Sequence, residues 1–245
     1  MADKVERPLA GRISLWMKEQ VLGAGAKGII LGASGGLDSS VVAVLAKMAV
    51  GNNATALIMP CHSSPESAAH AKLVLDKFSI KYSTVDLTTV YEQFLKILPP
   101  HEGMAQANLR PRLRMTALYY YANARNLLVA GTSNKSEMMV GYFTKWGDNG
   151  ADMYPIADIY KTELRQFACE IGVPEEIISK PPTADLWSGQ TDEDEMGLSY
   201  EELDSALIAL ETDKLDGIDE TVLARTRELV ESSAHKRVSP PMFRR

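Results

Sequence analysis

"GIILGASGGLDSSVVAVLAKMAV", residues 28–50, decides the fold. An apolar run stops at Ser34, Gly35 and Gly36, gives way to Asp38 and two more hydroxyls, and resumes at once as a second apolar segment. The first run reads as a buried strand, the second as the helix it feeds. At such a junction the amides of Ser34, Gly35 and Gly36 face outward at a helix amino end, where the dipole favours an anion. The glycines let phosphate oxygens approach the backbone, and Ser34, Ser39 and Ser40 add hydroxyl donors. Asp38 would repel a phosphate directly, so its use there is to hold a magnesium ion that bridges the charges. The alternative is a helix start in which Ser and Asp merely cap, although two adjacent glycines are a costly way to begin a helix. The Walker pattern GxxxxGK[ST] is absent, so cations must come from elsewhere in the chain.

Working outward, residues 9–22 carry apolar side chains at helical spacing. "ATALIMP" and "IKYSTVDL" read as further strands, with "PESAAHAKLVLDKF" and "TVYEQFLKIL" as the helices that follow them. A long helix is predicted over 112–126, opened by Pro111, and "NLLVAG" as a fourth strand ending at Thr132. Residues 141–155, punctuated by Gly and Pro, read as a loop, and helices follow near 160–171, 200–210 and 219–234. This alternation predicts an α/β fold, a doubly wound parallel sheet with helical additions, in one domain over 1–245.

Of 245 residues, 45% are hydrophobic and 24% charged, enough for a substantial core. The formal charge of −6 argues against broad binding to nucleic acid or an anionic membrane. Cys61 and Cys169 form no metal-like or disulfide spacing, and the charged start lacks a signal peptide's apolar stretch, so a cytoplasmic protein is expected. "GAGAKG", residues 23–28, matches GxGxxG but precedes the strand and so lacks the dinucleotide context. Cys61 and His62 point to opposite faces of a strand end, which disfavours a nucleophile pair.

The SGGLDS loop resembles the pyrophosphate loop of the ATP pyrophosphatases, which cut ATP between its α and β phosphates to form an adenylate. "GTSNKSE" at 131–137, "VGYFTKWGDNGADMYPIADIYKTELR" at 140–165, "KPPTADLWSGQTDEDEMG" at 180–197 and "HKR" at 235–237 are together similar to the signature run of ammonia-dependent NAD synthetase. The resemblance implies the conversion of nicotinic acid adenine dinucleotide (deamido-NAD), ATP and ammonia to NAD, AMP and pyrophosphate. A carboxylate is a poor acyl electrophile, and adenylation supplies the leaving group that ammonia displaces.

Carried over residue by residue, the resemblance implies ATP contacts at Gly32, Ala33, Ser34, Gly35, Gly36, Leu37, Asp38, Ser39, Thr132, Lys161 and Thr183. It implies catalytic roles for Asp38, Glu137 and Lys161, with Asp38 and Glu137 holding Mg2+. Deamido-NAD contacts fall on Arg112, Lys145, Asp152, His235 and Lys236, with Asp152 an acceptor of hydrogen bonds rather than a base. Taken singly, Glu137 could be an exposed helix-start carboxylate, Thr132 a cap and Lys161 a solvated lysine. Arg110 and Arg114, fanned away from Arg112, are expected to be solvated or interfacial. The basic tail from His235 is either a disordered end or a flap over substrate phosphates. Acidic 191–197 reads as a solvated loop, within a moving cover by the resemblance, with no catalytic role. The family also implies a homodimer, and a chain with no room for a glutamine-splitting domain implies free or delivered ammonia. A tRNA-modifying or GMP-making relative, or a nucleotide-binding regulatory module, are the rival readings.

Overall fold

The computed structural model describes residues 8–101, 103–183 and 191–244. The start of the chain and "ADLWSGQ" of the third signature run lie outside them. Four strands, β1 (Gly28–Gly32), β2 (Ala54–Ile58), β3 (Lys81–Thr84) and β4 (Leu127–Val129), form a parallel sheet in the order β3-β2-β1-β4. Ile29 of β1 pairs with Ala54 on one side and Leu128 on the other. Being central, β1 is apolar on both faces and Ile29, Ile30 and Leu31 are fully buried, whereas the edge strand β3 has no buried residue.

The helices are α1 (Leu9–Gly23), α2 (Leu37–Val50), α3 (Pro65–Lys77), α4 (Thr88–Ile97), α5 (Met104–Ala107), α6 (Leu109–Arg125), α7 (Lys135–Val140), α8 (Lys161–Glu170), α9 (Glu175–Ile178), α10 (Asp192–Met196), α11 (Tyr200–Thr212), α12 (Glu220–Ser232) and α13 (Ala234–Arg237). Alternate strand residues feed opposite layers. Ile29, Leu31, Ala56 and Ile58 pack against α1, α2, α3 and α8, while Ile30, Leu57 and Val129 pack against α4 and α6. This is the doubly wound sheet that the alternation predicts. α2 is apolar nearly all round because it lies between the sheet and α1. A third cluster, built on Val140, Met196, Leu198, Tyr200, Leu203 and Leu207, joins α7, α10, α11 and α12 beyond the sheet.

The chain leaves β1 toward β2 on one side, and β4 returns on the other. The strand order therefore switches between β1 and β4, and a crevice opens at their carboxyl ends. Three details differ from the sequence reading. α6 starts at Leu109, so Pro111 lies inside its first turn, where no amide partner is lost. Within 141–155, Met153 makes a parallel bridge to Ala130 and extends the sheet by one short step. Residues 192–196 are not a solvated loop: they form α10, with Asp192 and Met196 buried.

Candidate active site

The glycine loop is a tight knot of local bonds. Gly36 N–H donates to Ser34 Oγ at 3.2 Å, Ser34 N–H to Ser39 Oγ at 3.3 Å, and Ser40 Oγ–H to the Gly36 carbonyl at 2.7 Å. Gly35 has φ +81°, and a Cβ there would lie 2.1 Å from the Ser67 carbonyl of α3, so no other residue fits. No side chain caps the α2 amino end at Gly36, and the loop from Gly32 to Ser39 lines a cleft of about 560 Å³. Gly35 alone of these faces away, toward α3.

Opposite the loop, residues distant in sequence converge. β4 delivers the chain to Asn134, which opens α7 with a capping box: its side chain accepts from Glu137 N–H at 3.0 Å and Glu137 reaches back to Asn134 N–H. Asn134 Nδ2 also donates to Asp38 Oδ1 at 2.7 Å. The Lys161 ammonium, at the first residue of α8, is hydrogen-bonded to Asp38 Oδ2 and lies 3.5 Å from Glu137 Oε1. Its side chain is 5% exposed, so this is a desolvated ion pair. Behind it, the Tyr200 hydroxyl bonds Asp192 Oδ2 at 3.2 Å and Glu137 Oε1 at 3.4 Å, and Tyr142 bonds Asp192 Oδ1 at 3.1 Å.

Charge here is unbalanced, with three carboxylates around one ammonium. Burial, and then the neighbouring Asp38, push Glu137 up to about 8 despite Lys161. Burial likewise raises Asp192. For Lys161 burial opposes the charge, but Asp38 and Glu137 outweigh it and hold the ammonium protonated.

At the other end of the cleft the basic residues meet backbone. Lys145 Nζ donates to the His235 carbonyl at 2.6 Å, and Arg112 to the Lys145 carbonyl at 3.4 Å. Lys236 Nζ donates to the carbonyls of Gly141 (2.8 Å) and Phe143 (3.2 Å), and burial lowers its pKa. Gly141 is left-handed at φ +63°, and a Cβ there would come within 2.4 Å of Ser233 Cβ, so this glycine lets the chain end approach. The tail up to Arg237 is thus docked as α13 against the 141–145 loop.

Residues 9–240 match the NAD synthase family model. This chain belongs to the NAD synthase family. It is 48% identical over 198 residues to the NH(3)-dependent NAD(+) synthetase of Carboxydothermus hydrogenoformans, covering 79% of this chain and 82% of that protein. Among solved structures, NMN synthetase from Francisella tularensis superposes with a TM-score of 0.90 at 33% identity, covering 96% of this chain and 97% of that one. NH3-dependent NAD synthetase from Campylobacter jejuni superposes at 0.85 with 29% identity, covering 96% and 98%.

On this NAD synthase chain the structure brings Asp38, Glu137 and Lys161 together, with Thr132 and Thr183 lining the same cleft. Arg112, Lys145, His235 and Lys236 also line it. Asp152 differs: Oδ1 accepts from Tyr119 and Oδ2 from Val129 N–H at 2.8 Å, which ties the 150s loop to β4. Of the two expectations for Arg114, solvated or interfacial, the structure opposes the first: it donates to the Met59 carbonyl at 3.1 Å and Ser63 Oγ at 2.9 Å and so holds the turn after β2 against the cleft. Arg110 stacks over the Tyr91 ring. Cys61 is buried with its thiol pKa pushed up, while His62 pairs with Glu92 at 3.3 Å, so the two form no nucleophile pair.

Asp192 and Tyr200 were missed. Asp192 opens the acidic α10 behind Thr191 and Tyr200 opens α11 behind Ser199, and in sequence both positions resemble any solvated helix start.

Proposed function

We propose that this chain amidates deamido-NAD with ammonia at the expense of ATP, releasing NAD, AMP and pyrophosphate through an adenylated carboxylate. Family membership supports the reaction, and the observation that carries it to this cleft is the meeting of an uncapped phosphate-type loop with the Asp38–Lys161–Glu137 cluster. In this reading Gly32, Ala33, Ser34, Gly36, Leu37, Asp38 and Ser39 receive ATP at the α2 amino end, where amides and dipole favour its phosphates. Gly35 serves by its conformation. Thr132 and Thr183 contact the nucleotide from β4 and the 180s.

The donor set suits magnesium. Asp38 and Glu137 offer hard carboxylate oxygens, and Mg2+ takes one or two of these and leaves its other positions to phosphates and water. Among the described residues no cluster of three or more His, Cys, Asp or Glu forms a metal cage, which fits an ion completed by substrate. Burial, and then the nearby Asp38 charge, raise the Glu137 pKa, so a second cation beside Lys161 would favour its ionised form. When bound, the ion neutralises phosphate charge and orients the α-phosphate for attack. Lys161, held protonated, stabilises charge on the leaving pyrophosphate, and burial strengthens that interaction. Arg112, Lys145, His235 and Lys236 receive the acceptor dinucleotide, with Asp152 fixing the loop beneath it.

We read 1–245 as one synthetase domain, acting as a homodimer in the cytoplasm. The α4/α6 layer supports the dimer: Val90, Phe94 and Ile97 of α4 and Tyr120 of α6 stay exposed, Ile97 at 77% and Tyr120 at 73%. Free Cys61 and exposed Cys169 suit a reducing compartment. Among the described residues no helix is long and apolar enough to cross a membrane.

The test is one incubation with deamido-NAD, ATP, magnesium and ammonium chloride, following NAD and pyrophosphate together. One-for-one formation, weak when glutamine replaces ammonium, is expected; pyrophosphate without NAD moves the acceptor elsewhere. The likeness to a solved NMN synthetase favours one second reading, in which the acceptor is nicotinic acid mononucleotide. A parallel run with that acceptor decides between them.

A further inference from the structure

α11 presents three polar side chains on one stripe. Tyr200, Asp204 and Glu211 fall within about 40° of each other at 100° per residue. All three face the segments that carry the catalytic groups. Tyr200 reaches Glu137; Glu211 receives Lys135 Nζ at 2.9 Å, two residues before Glu137, and Tyr160 OH at 2.8 Å, one residue before Lys161. Asp204, between them, is 2% exposed and its carboxylate touches both segments. Oδ1 accepts from Ser136 Oγ, while Oδ2 accepts from Thr162 N–H at 2.9 Å and Thr162 Oγ1 at 2.8 Å. Ser136 Oγ in turn accepts from Lys161 N–H at 2.9 Å.

We infer that Asp204 is a positioning residue of the synthetase site, locking the start of α7 to the start of α8 so that Glu137 and Lys161 stand in register across from Asp38. This rests on the function proposed above only for its kinetic test. The chemistry of the partners explains why a carboxyl side chain is used. Three bonds end on Asp204, and every group that makes them is a donor: the Ser136 hydroxyl, the Thr162 hydroxyl and the Thr162 amide. Only a carboxylate accepts on both oxygens. An amide there sets its NH2 against a donor, forcing either the Ser136 hydroxyl to turn round or Thr162 to move. Ser136 and Thr162 each adjoin a catalytic residue, so the shift reaches Glu137 or Lys161 within one residue. A misplacement on the order of 1 Å costs an enzyme about 100-fold in rate.

The experiment compares Asp204→Asn, Ser136→Ala and Thr162→Val with the unaltered enzyme, each assayed per folded molecule. Asp204→Asn is expected to lower kcat at least tenfold with the KM for ATP changed less than threefold. Ser136→Ala should follow it more weakly, and adding Ser136→Ala to Asp204→Asn should cost little more, because both break one link. Thr162→Val, which keeps the amide bond, should lower kcat least. A lowered Tm with kcat unchanged makes Asp204 merely structural and overturns the inference. If Asp204→Asn does not accumulate folded, unchanged kcat in both other variants overturns it equally. A crystal structure of the best-behaved of the Asp204→Asn and Ser136→Ala proteins gives a readout free of the assigned reaction. Lys161 Nζ and Glu137 unmoved relative to Asp38 refutes positioning even if the enzyme makes a different product, whereas loss of NAD formation by the unaltered enzyme refutes only the function.

Discussion

The two ends of the cleft hold their charges in opposite ways. At the carboxylate end, Asp38, Glu137, Lys161 and Asp192 face one another side chain to side chain in a desolvated cluster. At the basic end, Lys145 and Lys236 spend their ammonium groups on backbone carbonyls, and Arg112 remains exposed. A buried side-chain cluster with more acid than base stores unfavourable electrostatics that a bound cation can relieve, which in the proposed function suits it to chemistry. A lysine satisfied by carbonyls can trade them for a substrate oxygen at little cost, so the basic end is built for binding. On this reading kcat is set at one end and KM at the other.

Removing the central ammonium is the largest test. Lys161→Met should lower kcat by about 10³-fold, as loss of a preorganised charge donor does. It should also destabilise the ligand-free fold at pH 8 by about 3–5 kcal/mol, the usual cost of stranding buried partners. Thermal melts at pH 5 and pH 8 check this, with the smaller loss expected at pH 5, where the stranded carboxylates take up protons. Full turnover in this variant would erase the distinction between the ends.

The second test reads the stored electrostatics through pH. Glu137 is raised in the fold to about 8 from an unfolded value of 4.5, so between these pH values the folded state binds the extra proton. Its contribution to stability is therefore complete below about pH 4.5 and lost as pH rises through about 8. Melts in EDTA should show Tm falling across that window, and Glu137→Gln, neutral throughout, should flatten the slope. An identical slope in the variant would mean that the imbalance lies elsewhere, with Asp192 next to examine.

Smaller effects belong to the basic end. Lys236→Met should raise KM for the acceptor about tenfold with kcat changed less than threefold, the signature of lost uniform binding. Loss of its two carbonyl bonds should lower stability by about 1–2 kcal/mol. A fall in kcat at unchanged KM would move chemistry to this end. The smallest effect is expected from Asp152→Asn, whose amide can keep the Val129 bond and reverse the one to Tyr119. About 1 kcal/mol of stability and an unchanged KM would make it a loop tether. A raised KM at unchanged Tm would make it the direct substrate contact that the family resemblance implies.

Local features could be read along the chain. The glycine loop was legible because its chemistry is made by consecutive residues: Ser34, Gly35, Gly36 and Asp38 specify one turn at one strand-to-helix junction. The sheet was legible because strands buried on both faces need continuous apolar runs such as Ile29–Leu31. Resemblance placed Glu137 after the fourth strand and named Lys161 across 123 positions from Asp38.

The remaining features depend on packing between distant segments. An acid followed by a helix, as at Asp192, is ordinary surface chemistry until the neighbouring fold excludes water from it. Arg114 turned inward because the turn after β2 offered the Met59 carbonyl and Ser63, which no spacing within α6 reveals. Tyr200, Asp204 and Glu211 look like the polar side of an amphipathic helix. They face the segments that carry Glu137 and Lys161 because Leu203 and Leu207 dock α11 beyond the sheet, and burial then turns an unremarkable carboxylate into a fixed acceptor for three converging bonds. Local propensity reads along the chain, whereas desolvation and partner geometry exist only between segments that the fold brings together.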